Sequence, residues 1–95
     1  MTAYVIVDID VHDPVRYEDY KRLATASIAA HGGKYLVRGG KVDIMDGEWV
    51  PNRLVILEFA DADAARKWFD SDEYREAKKA RAESALANMI IVEGI

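Results

Sequence analysis

The chain contains no cysteine, only two prolines and only two histidines among its 95 residues. The absence of cysteine excludes disulfide bonds, iron–sulfur clusters and thiol catalysis, and it is compatible with a reducing cytoplasm. No apolar run approaches the roughly 20 residues that a membrane-spanning helix needs. The first segment, MTAYVIVDIDV, has two acidic residues and no basic one, unlike a signal peptide. We therefore expect a cytoplasmic protein that does not associate with membranes.

A formal net charge of −4 disfavours nucleic acid as a partner, because phosphate binding needs a clustered basic face. The one basic run, residues 75–81, is interrupted by Glu76, which is typical of a solvated helix face. Neither histidine stands at the spacing of a metal-ligand motif. We therefore predict no cofactor and no metal; a metal site built from His12 with Asp10 or Asp13 is the alternative.

The overall composition is that of an ordinary globular protein, with 51% apolar and 32% charged residues. A length of 95 residues predicts one domain, spanning residues 1–95. A chain this short buries only roughly 60–65% of the surface that its unfolded form exposes. Such a domain gains stability by burying further surface against a partner.

Four extended segments are predicted from apolar side chains that recur with a period of two. They cover residues 4–11, 34–37, 53–59 and 89–92. The odd-numbered residues of the first segment are all apolar, so we expect that face to be core. The extended run after the second segment continues through Met45, and the pair Gly39-Gly40 inside it predicts a bulge or a sharp bend.

Two helical segments separate these strands. The first is capped by Asp13, begins at Pro14 and ends before Gly32, a residue that readily adopts the left-handed conformation of a helix C-terminus. The second is capped by Asp61. It bends or restarts at Ser71, because a serine followed by acidic residues is typical of a new N-cap.

The element order βαββαβ, with right-handed crossovers, predicts an α+β fold of the ferredoxin-like type. In this plait both helices cover one face of a four-stranded antiparallel sheet. The uncovered face is predicted to carry Tyr4, Ile6, Leu54, Ile56 and either Leu36 or Val37. Because this is more apolar surface than a monomer normally exposes, we expect a homodimer whose two sheets face each other.

The run Gly-Gly-Lys-Tyr-Leu-Val-Arg-Gly-Gly at residues 32–40 is the most specific motif of the sequence. Through this run and further matching positions along nearly the whole chain, the sequence resembles the bacterial family called domain of unknown function 1330, in the dimeric α/β-barrel superfamily. The further positions are Tyr17, Tyr20, Gly47, Glu48, Trp49, Pro51, Arg53, Glu58, Phe59, Ala65, Trp68, Ser71, Glu73, Tyr74 and Arg81. One departure is Asp72, where relatives often have proline. The resemblance implies that two copies pair as a dimeric α/β barrel.

The resemblance implies a fold without fixing a reaction. The superfamily includes cofactor-free monooxygenases of antibiotic biosynthesis, muconolactone-type isomerases, stress-responsive barrels and haem-handling enzymes. Two functions therefore stay open. The first is a cofactor-independent enzyme, monooxygenase-like or isomerase-like, acting on a small acidic or aromatic metabolite in a barrel pocket. The alternative is a non-catalytic homodimer that binds a small molecule or only assembles.

Arg38, Glu58 and His31 are the candidate catalytic residues. Arg38 lies on a predicted strand among apolar neighbours, where a guanidinium can bind a carboxylate or enolate through two hydrogen bonds. Glu58, in a similar setting, can move a proton. The alternative is an ion pair between Arg38 and Glu58, within the chain or across the dimer. His31 is either a general base at the barrel mouth or a favourable partner of the helix C-terminus.

Four further residues are candidate substrate-binding groups: Asp8, Tyr35, Arg53 and Trp49. Asp8 and Arg53 support the catalytic candidates from neighbouring strands. Tyr35 is one of several largely buried tyrosines, of which one or two are expected to turn a hydroxyl into the pocket. Trp49 follows a turn, and we expect it to pack on the dimer mate rather than on a ligand.

Overall fold

The computed structural model describes residues 1–95 and has the predicted ferredoxin-like α+β fold. Its elements are β1 (Ala3–Val11), α1 (Pro14–Ala30), β2 (Lys34–Arg38), β3 (Arg53–Phe59), α2 (Ala62–Phe69), α3 (Asp72–Ser84) and β4 (Ala85–Glu93). The strands form one antiparallel sheet in the order β2-β3-β1-β4. No helix is both long and apolar enough to span a membrane.

The core lies between the helices and one face of the sheet. Val7 of β1 stands opposite Val55 of β3, and the odd-numbered residues of both strands point toward the helices. Apolar alternation with a period of two produces this arrangement, because successive side chains of a strand point to opposite faces. The prediction that the odd face of β1 is core is confirmed.

Local interactions at its two ends define the limits of the first helix. Asp13 accepts a hydrogen bond from the backbone N–H of Arg16 at 3.1 Å, and Pro14 occupies the first helical position. The helix ends at His31, after which Gly32 takes a positive φ of 73°. Both ends follow the sequence prediction, because each depends on local chemistry only.

The second helical segment restarts at Ser71, as predicted. The hydroxyl of Ser71 donates to the carbonyl of Trp68 at 2.7 Å and accepts from the backbone N–H of Tyr74 at 3.1 Å. This double contact ends α2 and caps α3. The break brings the ring of Trp68 to 4.3 Å from that of Tyr74, and the Trp68 indole donates to Ser27 of α1 at 3.0 Å. The two helices are thereby joined to the aromatic centre of the core.

The long extended run between the second and third strands is not a strand in the structure. β2 ends at Arg38, and residues 39–52 have no regular secondary structure. Gly39 turns the chain with a φ of 71°, and its N–H makes the last bond to β3, at the carbonyl of Leu54. Because β3 begins only at Arg53, the residues after Gly39 have no strand to pair with. The predicted extension through Met45 is therefore wrong.

Of the bulge or sharp bend predicted at Gly39-Gly40, the structure has the bend, at Gly39, and it places a bulge earlier, within β2. The pairing of β2 with β3 shifts between Tyr35, which faces Leu57, and Val37, which faces Ile56. The extra residue, Leu36, lies in the irregularity. As a result Val37 joins the uncovered face, while Tyr35 and Arg38, three positions apart, both lie on the helix side.

The uncovered face of the sheet is apolar over most of its width. It carries even-numbered residues of the central strands, together with exposed side chains of β4. These residues are Tyr4, Ile6, Leu54, Ile56, Leu86, Ile90 and Val92. The sequence prediction of an apolar second face is correct, and β4 extends it because this strand begins at Ala85, directly after α3.

We predict that Ser71→Ala lowers the free energy of unfolding by roughly 1 kcal/mol, because the start of α3 loses its cap. Urea unfolding followed by circular dichroism measures this change. Ser71→Asp restores an acceptor for the N–H of Tyr74 and should recover most of the loss. Equal stability of Ser71→Ala and the unaltered protein would contradict the capping role.

Candidate functional site

A cleft opens between α1 and the helix side of the sheet. Its enclosed part has a volume of about 20 Å³, and the whole recess, counted to its solvent-open mouth, about 360 Å³. The enclosed part has room for about one water molecule. The wall is formed by Val7, Ile9, Tyr17, Tyr20, Lys21, Ile28, Tyr35, Arg38, Arg53, Val55, Leu57 and Trp68.

Arg53 is a charged group of the cleft whose Nε is buried. It begins β3 opposite Ile9, so its side chain starts on the helix side of the sheet. The guanidinium lies against Gly39, where an added Cβ would be 2.8 Å from the Arg53 Cζ, and it stands 5.8 Å from the ring centre of Tyr17. Its Nε is buried and has no hydrogen-bond partner, and none of the salt bridges includes Arg53.

Thr25 of α1 holds a second guanidinium at the cleft. The Thr25 hydroxyl donates its only proton to the carbonyl of Lys21 at 2.8 Å. It therefore accepts from both the Tyr35 hydroxyl, at 3.1 Å, and the Nη2 of Arg38, at 3.3 Å. The Arg38 guanidinium also lies 4.5 Å from the centre of the Tyr35 ring. Arg38 is thus fixed from two sides, with its remaining N–H groups free to bind an acceptor.

The cleft is electropositive. Lys21, Arg38 and Arg53 line it, and no acidic side chain does. Lys21 pairs with Glu18 at 2.8 Å, outside the wall, and so its charge is partly balanced. The two arginines have no carboxylate partner within the chain.

Tyr17 and Tyr20 of the cleft are neutral hydrogen-bonding groups at physiological pH. Burial raises the pKa of the Tyr17 phenol, and the nearby Arg53 opposes this effect without reversing it. Burial also raises the pKa of Tyr20, whose hydroxyl lies 3.0 Å from that of Tyr74. One bond between two phenols uses one of their two protons. Tyr20 lines the cleft, whereas Tyr74 does not.

The structure brings together three of the predicted site residues: Tyr35, Arg38 and Arg53. It does not bring Glu58 to them. Glu58 lies on the uncovered face opposite Tyr4, where it pairs with Lys34 at 3.3 Å. The predicted pairing of Arg38 with Glu58 is wrong within the chain. The shift at the bulge places Arg38 on the helix side, whereas Glu58 keeps the face given by its even number.

His31 lies outside the cleft. Its Nε2 is 3.2 Å from Glu73, so the residue links the end of α1 to the start of α3. The pKa of the Glu73 carboxyl lies below its usual value, chiefly because the carboxyl accepts a hydrogen bond from its own backbone N–H. The hydrogen bond with His31 is the second cause. The side chain of His31 thus contacts Glu73 rather than the carbonyl groups at the end of α1, and its role as general base stays a prediction.

Asp8 and Trp49 meet on the uncovered face, not in the cleft. One oxygen of Asp8 accepts from the Trp49 indole at 3.2 Å, and the other accepts from the backbone N–H of Asn52 at 2.9 Å. Asp8 therefore anchors the segment that precedes β3. No group of three or more histidine, aspartate or glutamate side chains is arranged to hold a metal ion.

Sequence reasoning missed the contribution of α1 to the cleft. Tyr17, Lys21 and Thr25 follow one another at intervals of four, and this spacing places them on one side of a helix. The spacing alone therefore carries a signal for this side of the cleft. Gly39 was treated as a bend, and its contact with Arg53 became visible only in the tertiary structure.

Comparison with known proteins places the chain in a family without fixing its activity. The sequence model of a family described as a domain of unknown function (DUF1330) matches residues 2–95. No curated protein matches the sequence.

Solved structures share the fold at low sequence identity. A protein of unknown function from Rhodopseudomonas palustris superposes with a TM-score of 0.77 at 18% identity, over 99% of this chain and 82% of its own. A dimeric protein of unknown function and ferredoxin-like fold from Bacteroides fragilis has a TM-score of 0.66 at 19% identity, over 98% and 96%. SnoaB, a cofactor-independent oxygenase from Streptomyces nogalater, has a TM-score of 0.61 at 15% identity, over 99% and 92%.

We predict that Gly39→Ala displaces the Arg53 guanidinium, because the added Cβ would collide with it. The substitution should also lower the free energy of unfolding by at least about 1 kcal/mol, because Gly39 has a positive φ that side chains disfavour. Urea unfolding measures the stability, and the NMR resonance of the Arg53 Nε–H reports the displacement. Gly40→Ala is the matched control, because nothing lies within 4 Å of its Cβ position and its φ is not positive. Equal effects of the two substitutions would contradict the contact.

Proposed function

The chain belongs to the DUF1330 family, and on that premise we propose that it is a homodimer that binds a small organic anion, a carboxylate or an enolate, in the cleft beneath α1. One observation carries the proposal. The Arg53 guanidinium is inserted into a cleft without any acidic wall residue, and its buried Nε has no partner.

An unpartnered buried guanidinium N–H is costly to the folded state. Leaving a buried donor unsatisfied costs about 1–3 kcal/mol, and more when the group is charged. A ligand that supplies oxygen acceptors removes this cost on binding. The planar fork of arginine matches the two oxygens of a carboxylate, and the same geometry suits the oxygens of a conjugated enolate.

The volume of the cleft and the residues of its wall limit the shape of the ligand. Its enclosed part holds about one water molecule, whereas its mouth is bordered by the side chains of Lys21, Tyr35 and Arg38. We infer that the anionic group binds at Arg53 and that the remainder of the ligand displaces the mouth residues. The aromatic ring of Tyr35 and the apolar strand residues favour a flat, unsaturated body over a highly polar one.

A cofactor-independent enzyme is the second candidate function. Two guanidinium groups and neutral phenols around one cleft can stabilise the negative charge of an enolate oxygen. The structural similarity to SnoaB, described as a cofactor-independent oxygenase, supports this candidate at the level of the fold alone. Glu58 and His31 lie outside the cleft and are not part of this proposal, so the cleft has no carboxylate or histidine to act as its base. The substrate would therefore be one that is acidic enough to ionise beside Arg38 and Arg53.

The homodimer is supported by the uncovered apolar face of the sheet and by the dimeric protein of the same fold from Bacteroides fragilis. In such a dimer the two clefts lie on the outer, helix-covered sides. Each protomer therefore keeps its own ligand site.

We predict that Arg53→Met weakens the binding of benzoate and salicylate at least about tenfold, because a charge-assisted hydrogen bond contributes about 1.5–3 kcal/mol. Arg38→Met should have a similar effect, and Arg75→Met, on an exposed arginine of α3, should have none. Titration followed by ligand-observed NMR measures the affinities. The Arg53 Nε–H resonance should shift on binding in the unaltered protein.

Arg53→Met is also expected to leave the free energy of unfolding unchanged or to raise it, since it removes a buried N–H group that has no hydrogen-bond partner. Affinities that do not differ between Arg53→Met and the unaltered protein would overturn the proposal. Native mass spectrometry of gently purified protein gives an independent test, because a retained anionic molecule would identify the ligand class. Turnover of that molecule, lost in Arg38→Met, would establish the second candidate function.

A further inference from the structure

The segment between β2 and β3 forms an exposed arm, residues 40–51. Every residue from 40 to 50 is exposed, yet five of them are large and apolar. These are Val42, Ile44, Met45, Trp49 and Val50. Met45 is 89% exposed and Trp49 64% exposed, whereas the other tryptophan, Trp68, is 1% exposed. An arm of this composition exposes apolar surface that isolated proteins normally bury.

The base of the arm is fixed to the sheet rather than loose. Asp8 accepts hydrogen bonds from the Trp49 indole at 3.2 Å and from the Asn52 N–H at 2.9 Å. Near the tip, Asp46 accepts from the N–H of Gly47, which has a φ of 81° and forms a turn. These contacts hold Trp49 and the base of the arm in place before any partner binds.

The arm is continuous with the uncovered face of the sheet. Its apolar side chains and Leu54 of β3 line one shallow groove. Leu54 stands opposite Asp8, so the groove opens on the uncovered face and not on the cleft side. The arm therefore cannot act as a lid over the cleft of its own chain.

We propose that the arm is a clasp between two copies of this chain, with Trp49 as its anchor and Asp8 as the residue that positions it. The groove and the uncovered face form one surface, and a partner that covers the face also meets the arm. The two longer principal extents of the molecule are 37 and 35 Å, so a face of these dimensions has room for the roughly 800 Å² per partner that a stable interface of standard size buries.

A second copy fits this surface better than an unrelated protein. The arm and the uncovered face occur together in every copy, so a two-fold axis brings each arm onto the other copy's surface. Aromatic residues in the centre of an interface contribute much of its affinity. The inference rests on the homodimer proposed above and adds that the stability of the dimer, not that of the monomer fold, depends on Trp49 and Asp8.

The test combines sedimentation velocity with quenching of Trp49 fluorescence by acrylamide, both from 1 to 100 µM protein. The difference between the unaltered protein and Trp49→Phe isolates the signal of Trp49, because Trp68 is buried in both. We expect Trp49 to be protected from acrylamide in the dimer and to become accessible on dilution. We expect Trp49→Ser and Asp8→Ala to raise the dimer dissociation constant at least tenfold. Circular dichroism should show that both variants keep the fold.

Val15→Ser is the matched control, because Val15 is an apolar residue that is 83% exposed on α1, away from the arm. It should leave the dissociation constant unchanged. A monomer at 100 µM would overturn both the homodimer and the clasp. A dimer in which Trp49 is fully accessible to acrylamide would overturn the clasp alone. The quenching comparison uses only the unaltered protein and Trp49→Phe, so it decides the question even if Asp8→Ala unfolds.

Discussion

A sheet covered by helices on one side only is the constraint on which the rest of this structure depends. Successive side chains of a strand point to opposite faces, so each strand residue belongs either to the helix-covered core or to the open face. Val7 and Val55 form the centre of the core, and Ile6 and Ile56 form the centre of the open face. The two faces then acquire different roles: a cationic cleft on one side and an apolar contact surface on the other.

A bulge in β2 changes which of its residues lie on each face of the sheet, and the composition of the cleft depends on this bulge. The extra residue near Leu36 moves the end of β2 by one position, so Arg38 joins Tyr35 on the helix side. There α1 meets them through Thr25, and Gly39 leaves room for Arg53. The buried Nε of Arg53 has no hydrogen-bond partner, and such a cost to the folded state is typical of sites in which a ligand supplies the missing contact.

The open face shows the complementary arrangement. Asp8, Lys34 and Glu58 bring polar groups to a surface that is otherwise apolar, and each is satisfied within the chain. Satisfied polar groups fix the orientation of neighbouring side chains at modest cost, whereas the apolar residues between them remain unpartnered. Contacts within the chain therefore account for these charged residues of the open face, whereas the buried Nε of Arg53 in the cleft has no such contact.

The order of strands and helices, the helix caps at Asp13 and Ser71 and the apolar second face of the sheet were determined by the sequence itself. Each of these depends on the spacing or chemistry of neighbouring residues, so it can be predicted without knowing the rest of the chain. The membership of the site was decided only by the tertiary structure. Arg38 meets Arg53 rather than Glu58 because a bulge shifts the register by one residue, and every such shift reverses the face on which the following side chains lie.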